Sequence, residues 1–532
     1  MASTTYPNEP AVLSLPAVPE PVVIKPAEKH SYGQILKSSV LVGGSSFLNI
    51  AIGILRTKAM AFLLGPSGFG LFGLYGSIAD LTQSLAGLGV NSSGVRQIAE
   101  AAGSEDAQKI GETSAVLRRV SVLLGMIGAG FLVVFARYIS ELTFGDPKHA
   151  LAIRLLSAAV FFKIVSAGQG AMIQGMRRIS DLAKMGVLGA IFGAALTIPI
   201  VYVFREKGIV PSLVGIAAMT IGTSWWYSRK IRVTIPSVTL LQMWHETSSL
   251  LKLGFAFMSS GLMTMGVAYV VRVTVLRKVG YEATGLYQSA WTLGGLYVGF
   301  ILQAMGADFY PRLTASIRKN AECNRLVNEQ MLIGLLLAGP GVIATLAFAP
   351  AVVAIFYSAK FGASVGVLRW ICLGATLQVI TWPMGFIIVA KGKPIVFFCA
   401  ELAWTIVAVC LAWLCVGYFG LSGAGMAFFG SYVFHALLIY PIVRSMSGFH
   451  WSAQNKRTTL FFLSLITAVF CGFYVLPFYV ACTFGGVMVL LTGAYSLHTL
   501  LNLMPFDRLP APIQRLCASF PIFHSGSHGG VA

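Results

Sequence analysis

The sequence predicts an all-α polytopic membrane protein of about 14 transmembrane helices, built as two six-helix lobes related by an internal parallel repeat, with two extra C-terminal helices. Three observations predict it. The 532 residues are 56% hydrophobic and 11% charged, with a mean hydropathy of +0.78, where a soluble domain carries about 25% charged residues. The apolar residues fall in runs of about 18 to 28, each long enough to cross a hydrocarbon core of roughly 30 Å. Short motifs also recur, in order, a little over 200 residues apart.

The first 33 residues hold six of the 22 prolines together with Glu9, Glu20 and Glu28, and lack a basic segment followed by an apolar core. They read as a disordered cytosolic tail and not as a signal peptide. Six spans follow in an N-lobe over 34–228: Ser38 to Leu63, Phe69 to Val90, Val116 to Ile139, Leu151 to Ile173, Met185 to Phe204 and Ile209 to Tyr227. A basic cytosolic linker, 229–249, leads to a C-lobe over 250–444. Its six spans are Leu250 to Leu276, Ala283 to Ala304, Met331 to Phe356, Val365 to Ala390, Ile395 to Tyr418 and Leu421 to Val443. Two additional spans, Leu460 to Tyr479 and Val480 to Leu501, occupy 445–501; only Pro477 and its aromatic neighbours separate them, and a re-entrant hairpin gives a similar pattern. A second cytosolic tail covers 502–532.

The net charge is +19. In a soluble chain this suggests nucleic acid; in a polytopic one it marks loops that face anionic lipid on the cytoplasmic side, so nucleic acid is not an expected partner. With the N-terminus inside, twenty-five Lys and Arg fall on the cytoplasmic side and nine opposite, which places both termini in the cytoplasm. The eight cysteines lie mostly inside apolar runs, with no CxxC and no His at zinc spacing, so no metal centre is expected. No P-loop, HExxH or GxSxG occurs, and no loop exceeds about 30 residues. These absences argue against an ATPase and against a membrane polymerase or ligase, and no enzyme activity or cofactor is expected beyond coupling to H+ or Na+.

The repeat rests on three matches: Leu64-Gly65 with Gly70-Leu71-Phe72 against Val279-Gly280 with Gly285-Leu286-Tyr287, the Gly175 turn against Gly392, and Gly215-Ile216-Ala217 against Gly425-Met426-Ala427. Their offsets are 215, 217 and 210 residues. Each spans an even number of helices, so the halves share one topology, as in transporters that alternate access around a central cavity.

The stretch Gly53 to Ala101, GILRTKAMAFLLGPSGFGLFGLYGSIADLTQSLAGLGVNSSGVRQIAEA, resembles the opening of the O-antigen (Wzx-type) translocases. These are polysaccharide flippases of the multidrug/oligosaccharidyl-lipid/polysaccharide (MOP) exporter superfamily. QGMRRISDLAK from Gln174 to Lys184, and ADFYPRLTASIRKN with VNEQ between Ala307 and Gln330, resemble the same family. The resemblance covers about Ser38 to Val443. It implies a MATE-like V of two lobes in a bacterial inner membrane, and a cargo of polyprenyl-pyrophosphate carrying an oligosaccharide repeat unit for O-antigen or exopolysaccharide. Polysaccharide polymerase and chain-length machinery are the partners it suggests besides membrane lipids. Fourteen spans instead of the usual twelve, and the Pro-rich tail, depart from it. An ion-coupled multidrug exporter of the same superfamily is the alternative.

A charge inside a bilayer costs at least about 2.5 to 3.5 kcal/mol and normally faces a wet cavity. Arg56 and Lys58 in the first span, and Arg272 in the seventh, stand near-symmetrically, because the 215 offset maps Arg56 and Lys58 onto Val271 and Val273. With Lys163 in the fourth span they form the candidate cationic cavity for a diphosphate, which Arg holds bidentately. Drug exporters of this superfamily are expected to carry acidic residues there instead. Asp80 and Glu401 are the candidate ion-coupling carboxylates, with a static ion pair as the competing role. His435 stands alone and reads as structural. Arg96 with Glu100, and Asp308 with Arg312, lie in repeat-equivalent cytoplasmic loops; interfacial anchoring and helix capping is the simpler role for them, and a cytoplasmic gate is the sharper one, for which they are the candidate residues. Trp291, Trp382 and Trp404 can stack on sugars only if they face the lumen, and packing is the simpler role for each.

Overall fold

The computed structural model describes residues 29–103, 107–231 and 261–503. Most of the N-terminal tail, the bulk of the basic linker and nearly all of the C-terminal tail lie outside the described residues. α1 (Lys29–Gly87) begins inside the segment expected to be tail. The helices that follow are α2 (Val90–Gly103), α3 (Ala107–Phe144), α4 (Ala150–Gly175), α5 (Ile179–Phe204) and α6 (Ile209–Ser228). The second half holds α7 (261–278), α8 (Tyr281–Ala315), α9 (Asn320–Ala347), α10 (Ala349–Phe356), α11 (Ser364–Ala390), α12 (Pro394–Phe419) and α13 (Leu421–Ser447). α14 (Ala453–Val475) and α15 (Phe478–Leu503) close the chain.

Helices stand at all fourteen predicted places, the seventh described in part. Among the described residues, ten helical stretches are long and apolar enough to cross a membrane, and two of them, Gly44–Gly87 and Ile179–Ser228, are 44 and 50 residues long and hold two predicted spans each. At about 1.5 Å per residue each covers roughly twice the hydrocarbon thickness. The first is broken at Gly65, whose φ of 66° and ψ of −176° only glycine adopts readily, followed by Pro66. α7 and α8 are not among the ten: α7 is described only from residue 261, and α8 carries Thr284, Gln288, Ser289 and Thr292 on its apolar stretch. The predicted ninth span is two helices, because Pro350 lacks the N–H that would carry α9 into α10. The final pair is two full helices of 23 and 26 residues, so the hairpin alternative falls away. Large exposed apolar side chains such as Phe131, Val134, Tyr202, Trp225, Trp413 and Leu490 cover the outer faces, the surface a bilayer requires.

The repeat runs at 215 residues throughout. α5 and α12 begin and end 215 apart. Positive φ recurs at Gly65 and Gly280, Arg177 and Gly392, and Arg205 and Gly420, each pair again 215 apart. The expected matches of Gly175 with Gly392 and Gly215 with Gly425 are therefore out of register by two and five residues. The equivalent of the Gly392 turn is Arg177, and Gly425 corresponds to Val210. The two halves meet where equivalent residues face each other: a Cβ on Gly285 would lie 1.8 Å from the Pro66 carbonyl oxygen and 3.0 Å from the Gly70 nitrogen, and one on Gly73 would touch Gln288 at 3.0 Å. Contact between residues i and i+215 places the pseudo-twofold axis between α1 and α8, and only glycine permits that approach. One hydrophobic core centres on Leu74, Leu117 and Leu156 of the first half, and another on Leu335, Ile371 and Phe462 of the second, which also takes in Met60, Ala61, Phe69 and Val201 across the junction. The second takes in α14, whose Phe462 ring occupies the space a side chain at Gly339 would fill.

One helix went unforeseen. Arg96 and Glu100, expected in a loop, sit on α2, where they form an exposed i,i+4 ion pair at 2.8 Å while Ser93, Gly94, Ile98 and Ala101 turn inward. At the equivalent place α8 runs on unbroken to Ala315, so Arg312 lies in its last helical turn and not in a loop. The Asp308 side chain is outside the described residues.

Candidate functional site

The alternating helices have two ends, named here for Gly65 and Gly175. Arg272 on α7 stands beside the α1–α8 crossing. It is 9% exposed, and its Nε donates to Gln288 Oε1 at 2.5 Å. Gln288 in turn donates to Thr292 Oγ1 at 3.3 Å, so among the described residues the guanidinium has a neutral amide as its hydrogen-bond partner and Asp80 within electrostatic reach. A buried cation so placed is costly unless an anion visits it. Arg56, half-buried on α1, lies 3.9 Å from where a Gly193 Cβ would stand on α5, and Lys58 is exposed. No described contact joins either of them to Arg272.

Two of the expected residues do meet. Lys163 Nζ donates to Asp80 Oδ1 at 2.5 Å, the ion-pair role weighed for that carboxylate. Asp80 lines a polar cavity of about 320 Å3 with Gln83, Ser84 and Asn91, walled across the lobe junction by Gly261 and Met265 of α7. The adjoining face of α7, at Thr264, Val267 and Val271, lines a cavity of about 170 Å3 inside the second half, and Thr264 also lines a neighbouring one of about 310 Å3. These two share Thr264, Gln378, Trp404 and Tyr432, so they adjoin. α7 is thus the partition between the junction and the second lobe.

Glu401 and His435 line the larger of those two cavities together. His435 is not the isolated residue it is in the sequence, and its Nδ1 and the Trp404 Nε1 are enclosed without a hydrogen-bond partner. Trp291, Trp382 and Trp404 all face this cavity pair. Trp291 meets Phe428 edge-on at 5.3 Å, and Phe428 meets Tyr432 at 5.0 Å. Planar aromatic walls with a few inward polar groups suit sugar rings or amphipathic cations.

A further cluster, missed in the sequence, joins the halves at the Gly65 end. Arg277 of α7 donates to the carbonyls that end α3: Nη2 to Glu141 and, at 2.9 Å, to Leu142, and Nε to Thr143 at 3.3 Å. A guanidinium there satisfies free carbonyls and meets the negative end of the helix dipole. Thr143 Oγ1 and Tyr269 OH lie 2.6 Å apart. The His149 ring bridges Tyr75 OH at 2.7 Å and Tyr281 OH at 3.3 Å and stacks on Phe144 at 4.0 Å. Burial holds the His149 imidazole below its usual pKa, against the pull of Asp146. The sequence carried Arg277 only as a loop charge and did not single out the others, because their partners lie 74 to 136 positions away.

Comparison with known proteins agrees with this architecture. The chain is 22% identical over 409 residues to the lipid III flippases of Escherichia coli and Shigella flexneri, an alignment covering 75% of this chain and 95% of theirs. Among solved structures, the lipid II flippase MurJ in an inward closed conformation matches with a TM-score of 0.64 at 14% identity, over 87% of this chain and 100% of that one. An inward-facing multidrug resistance MATE family transporter of the MOP superfamily matches with a TM-score of 0.60 at 18% identity, over 76% and 94%. These structures share the fold. A model of the polysaccharide biosynthesis protein family matches residues 59–366, more than half of the sequence and both sides of the lobe junction. The chain belongs to the polysaccharide biosynthesis protein family and has the fold of the MOP-superfamily transporters.

Proposed function

We propose that this protein is a flippase that moves polyprenyl-pyrophosphate-linked oligosaccharide repeat units from the cytoplasmic to the outer leaflet of a bacterial inner membrane, for O-antigen or exopolysaccharide assembly. One observation carries the reading: Arg272 is buried where the two lobes cross, with a neutral amide as its hydrogen-bond partner among the described residues. A pyrophosphate has the charge and the oxygen geometry that a guanidinium fork holds. The lipid III flippases among its relatives support the class of cargo.

In this mechanism both termini are cytoplasmic and the Gly65 end faces outward, as the basic loops require. The Arg277, Tyr269 and His149 contacts hold the outer end shut while the pyrophosphate enters from the Gly175 end, past the polar cavity at Asp80. Arg272 and Arg56 neutralise its charge, and the lobes then rock about the α1–α8 crossing. Asp80 and Glu401 are the groups that couple this cycle to H+ or Na+. Release outside would hand the repeat unit to polymerase and chain-length machinery.

One observation favours the multidrug-exporter reading: the aromatic cavity around Glu401, which suits a lipophilic cation. Binding separates the two. Purified protein in detergent should be stabilised against heating by polyprenyl pyrophosphate, and less so in Arg272→Ala. Stabilisation by tetraphenylphosphonium alone, lost in Glu401→Gln and unaffected by Arg272→Ala, would establish the exporter instead.

A further inference from the structure

At the Gly65 end, on the opposite flank from Arg277, a cavity of about 480 Å3 opens between α10, α11 and the α14–α15 turn. Its walls are apolar, with Val353 and Val365 inside and Leu476 and Phe478 exposed at the rim. Two polar side chains break this surface, Arg369 and Ser358. Arg369 Nε reaches the Leu346 carbonyl at 3.4 Å, and the guanidinium lies over the Phe473 ring, 3.6 Å from its centroid. Its Nη2 is enclosed and unpaired, as is the Ser358 hydroxyl. Nη1 is neither enclosed nor hydrogen bonded among the described residues, which makes it the atom available to the lumen.

The charge is uncompensated over a long stretch of chain. Between Glu329 and Asp507 the sequence contains a single acidic residue, Glu401, and that one, on α12, lines a different cavity. No carboxylate lines the Arg369 cavity, and Lys360, exposed on the adjoining turn, adds a second cation. An arginine presenting a free donor, a second cation on the adjoining turn and an apolar rim match one chemistry: a phosphate ester whose acyl chains lie along α14 and α15.

We propose that this cavity binds the phosphate of a phospholipid headgroup from the leaflet at the Gly65 end, and that the bound lipid ties the two additional helices to the second lobe. The site is separate from the Arg272 junction and does not depend on what the protein transports. Phosphate is the recognised group, and a free phosphate ion is the other source of it.

The test uses the full chain, purified and stripped of lipid in detergent, and reads lipid adducts by native mass spectrometry alongside thermal unfolding. The probes are dioleoyl phosphatidylglycerol, dioleoylglycerol without the phosphate, and inorganic phosphate. Phosphatidylglycerol should form a discrete adduct and raise the unfolding temperature, the other two should not, and Arg369→Ala should weaken the adduct about tenfold or more. Because Arg369 also packs on Phe473, Lys360→Ala is the cleaner variant. Its side chain is exposed, so its loss leaves the lipid-free unfolding temperature unchanged, yet it should weaken the adduct a few-fold. Equal protection by inorganic phosphate would overturn the lipid assignment, and equal adducts in wild type and both variants would overturn the site.

Discussion

Substituting Gly285 by alanine perturbs the one place where the two halves touch through equivalent residues. The new methyl would stand 1.8 Å from the Pro66 carbonyl oxygen and 2.6 Å from the carbon that bears it. Both are backbone atoms just after the Gly65 break, so no side chain can swing aside. Restoring an ordinary contact of about 3.4 Å moves α8 and α1 apart by roughly 1.5 Å, and inserting a methyl into such packing costs about 1 to 3 kcal/mol. Gly295, ten residues on in the same helix, has nothing within 4 Å of its Cβ position. There alanine should be neutral or gain about 0.5 to 1 kcal/mol from helix propensity. The assay is thermal unfolding of both purified variants in one detergent, together with complementation of surface polysaccharide. Gly285→Ala should unfold at lower temperature and transport poorly, and Gly295→Ala should match or exceed wild type in stability. Equal stability of the two variants would refute a pseudo-twofold contact at this crossing.

Further outcomes concern the closed end and the coupling carboxylates. Arg277→Ala removes the donor from the carbonyls that end α3, so in a cysteine-free background a cysteine at Tyr281 should become several-fold more reactive to an impermeant thiol reagent applied from outside. Reactivity should also rise as pH falls below about 6.5, the ordinary imidazole value. Closure holds the His149 pKa below that value, so the closed state binds fewer protons there than the open one and loses stability as the pH drops. Asp146 and Lys148 on its own turn, with Tyr75 and Tyr281 opposite, are the groups facing it, and His149→Gln should flatten the profile. For coupling, Asp80→Asn or Glu401→Gln should abolish pH- or sodium-dependent flipping in vesicles at normal expression. Asp80→Asn should cost little stability, because its ion pair with Lys163 is half-exposed and worth about 0 to 1 kcal/mol.

The spans were legible because crossing a bilayer imposes a length and an apolarity that any stretch of sequence displays on its own. Pro477 marked the α14–α15 turn for the same local reason. The repeat was legible at Gly65 and Gly280, where a shared backbone conformation demands glycine, and it slipped in register at Arg177, where an arginine holds the positive φ that Gly392 holds in the second half. α2 was missed because it is short and amphipathic, so hydropathy alone reads it as loop. Depth in the membrane can be read from sequence, but the direction a side chain faces cannot. Arg272 was recognisable as a buried charge, while its partner Gln288 was not, and neither was the cavity that His435 shares with Glu401. Arg277 counted only as one more basic residue until the fold set it against the end of α3.

The central claim is that the buried Arg272 receives the pyrophosphate of a lipid-linked glycan. Its most direct test is the leaflet distribution of lipid-linked repeat units in a deletion strain carrying Arg272→Ala, Arg272→Lys or the Arg56→Ala/Lys58→Ala/Arg272→Ala triple variant at matched expression. Losing one hydrogen bond to a charged group costs about 1.5 to 3 kcal/mol, roughly a ten- to hundredfold loss of affinity. Arg272→Ala should therefore leave repeat units on the cytoplasmic leaflet and fail to restore surface polysaccharide, while Arg272→Lys, keeping the charge without the fork, should restore it in part. Wild-type distribution in the triple variant would contradict the account.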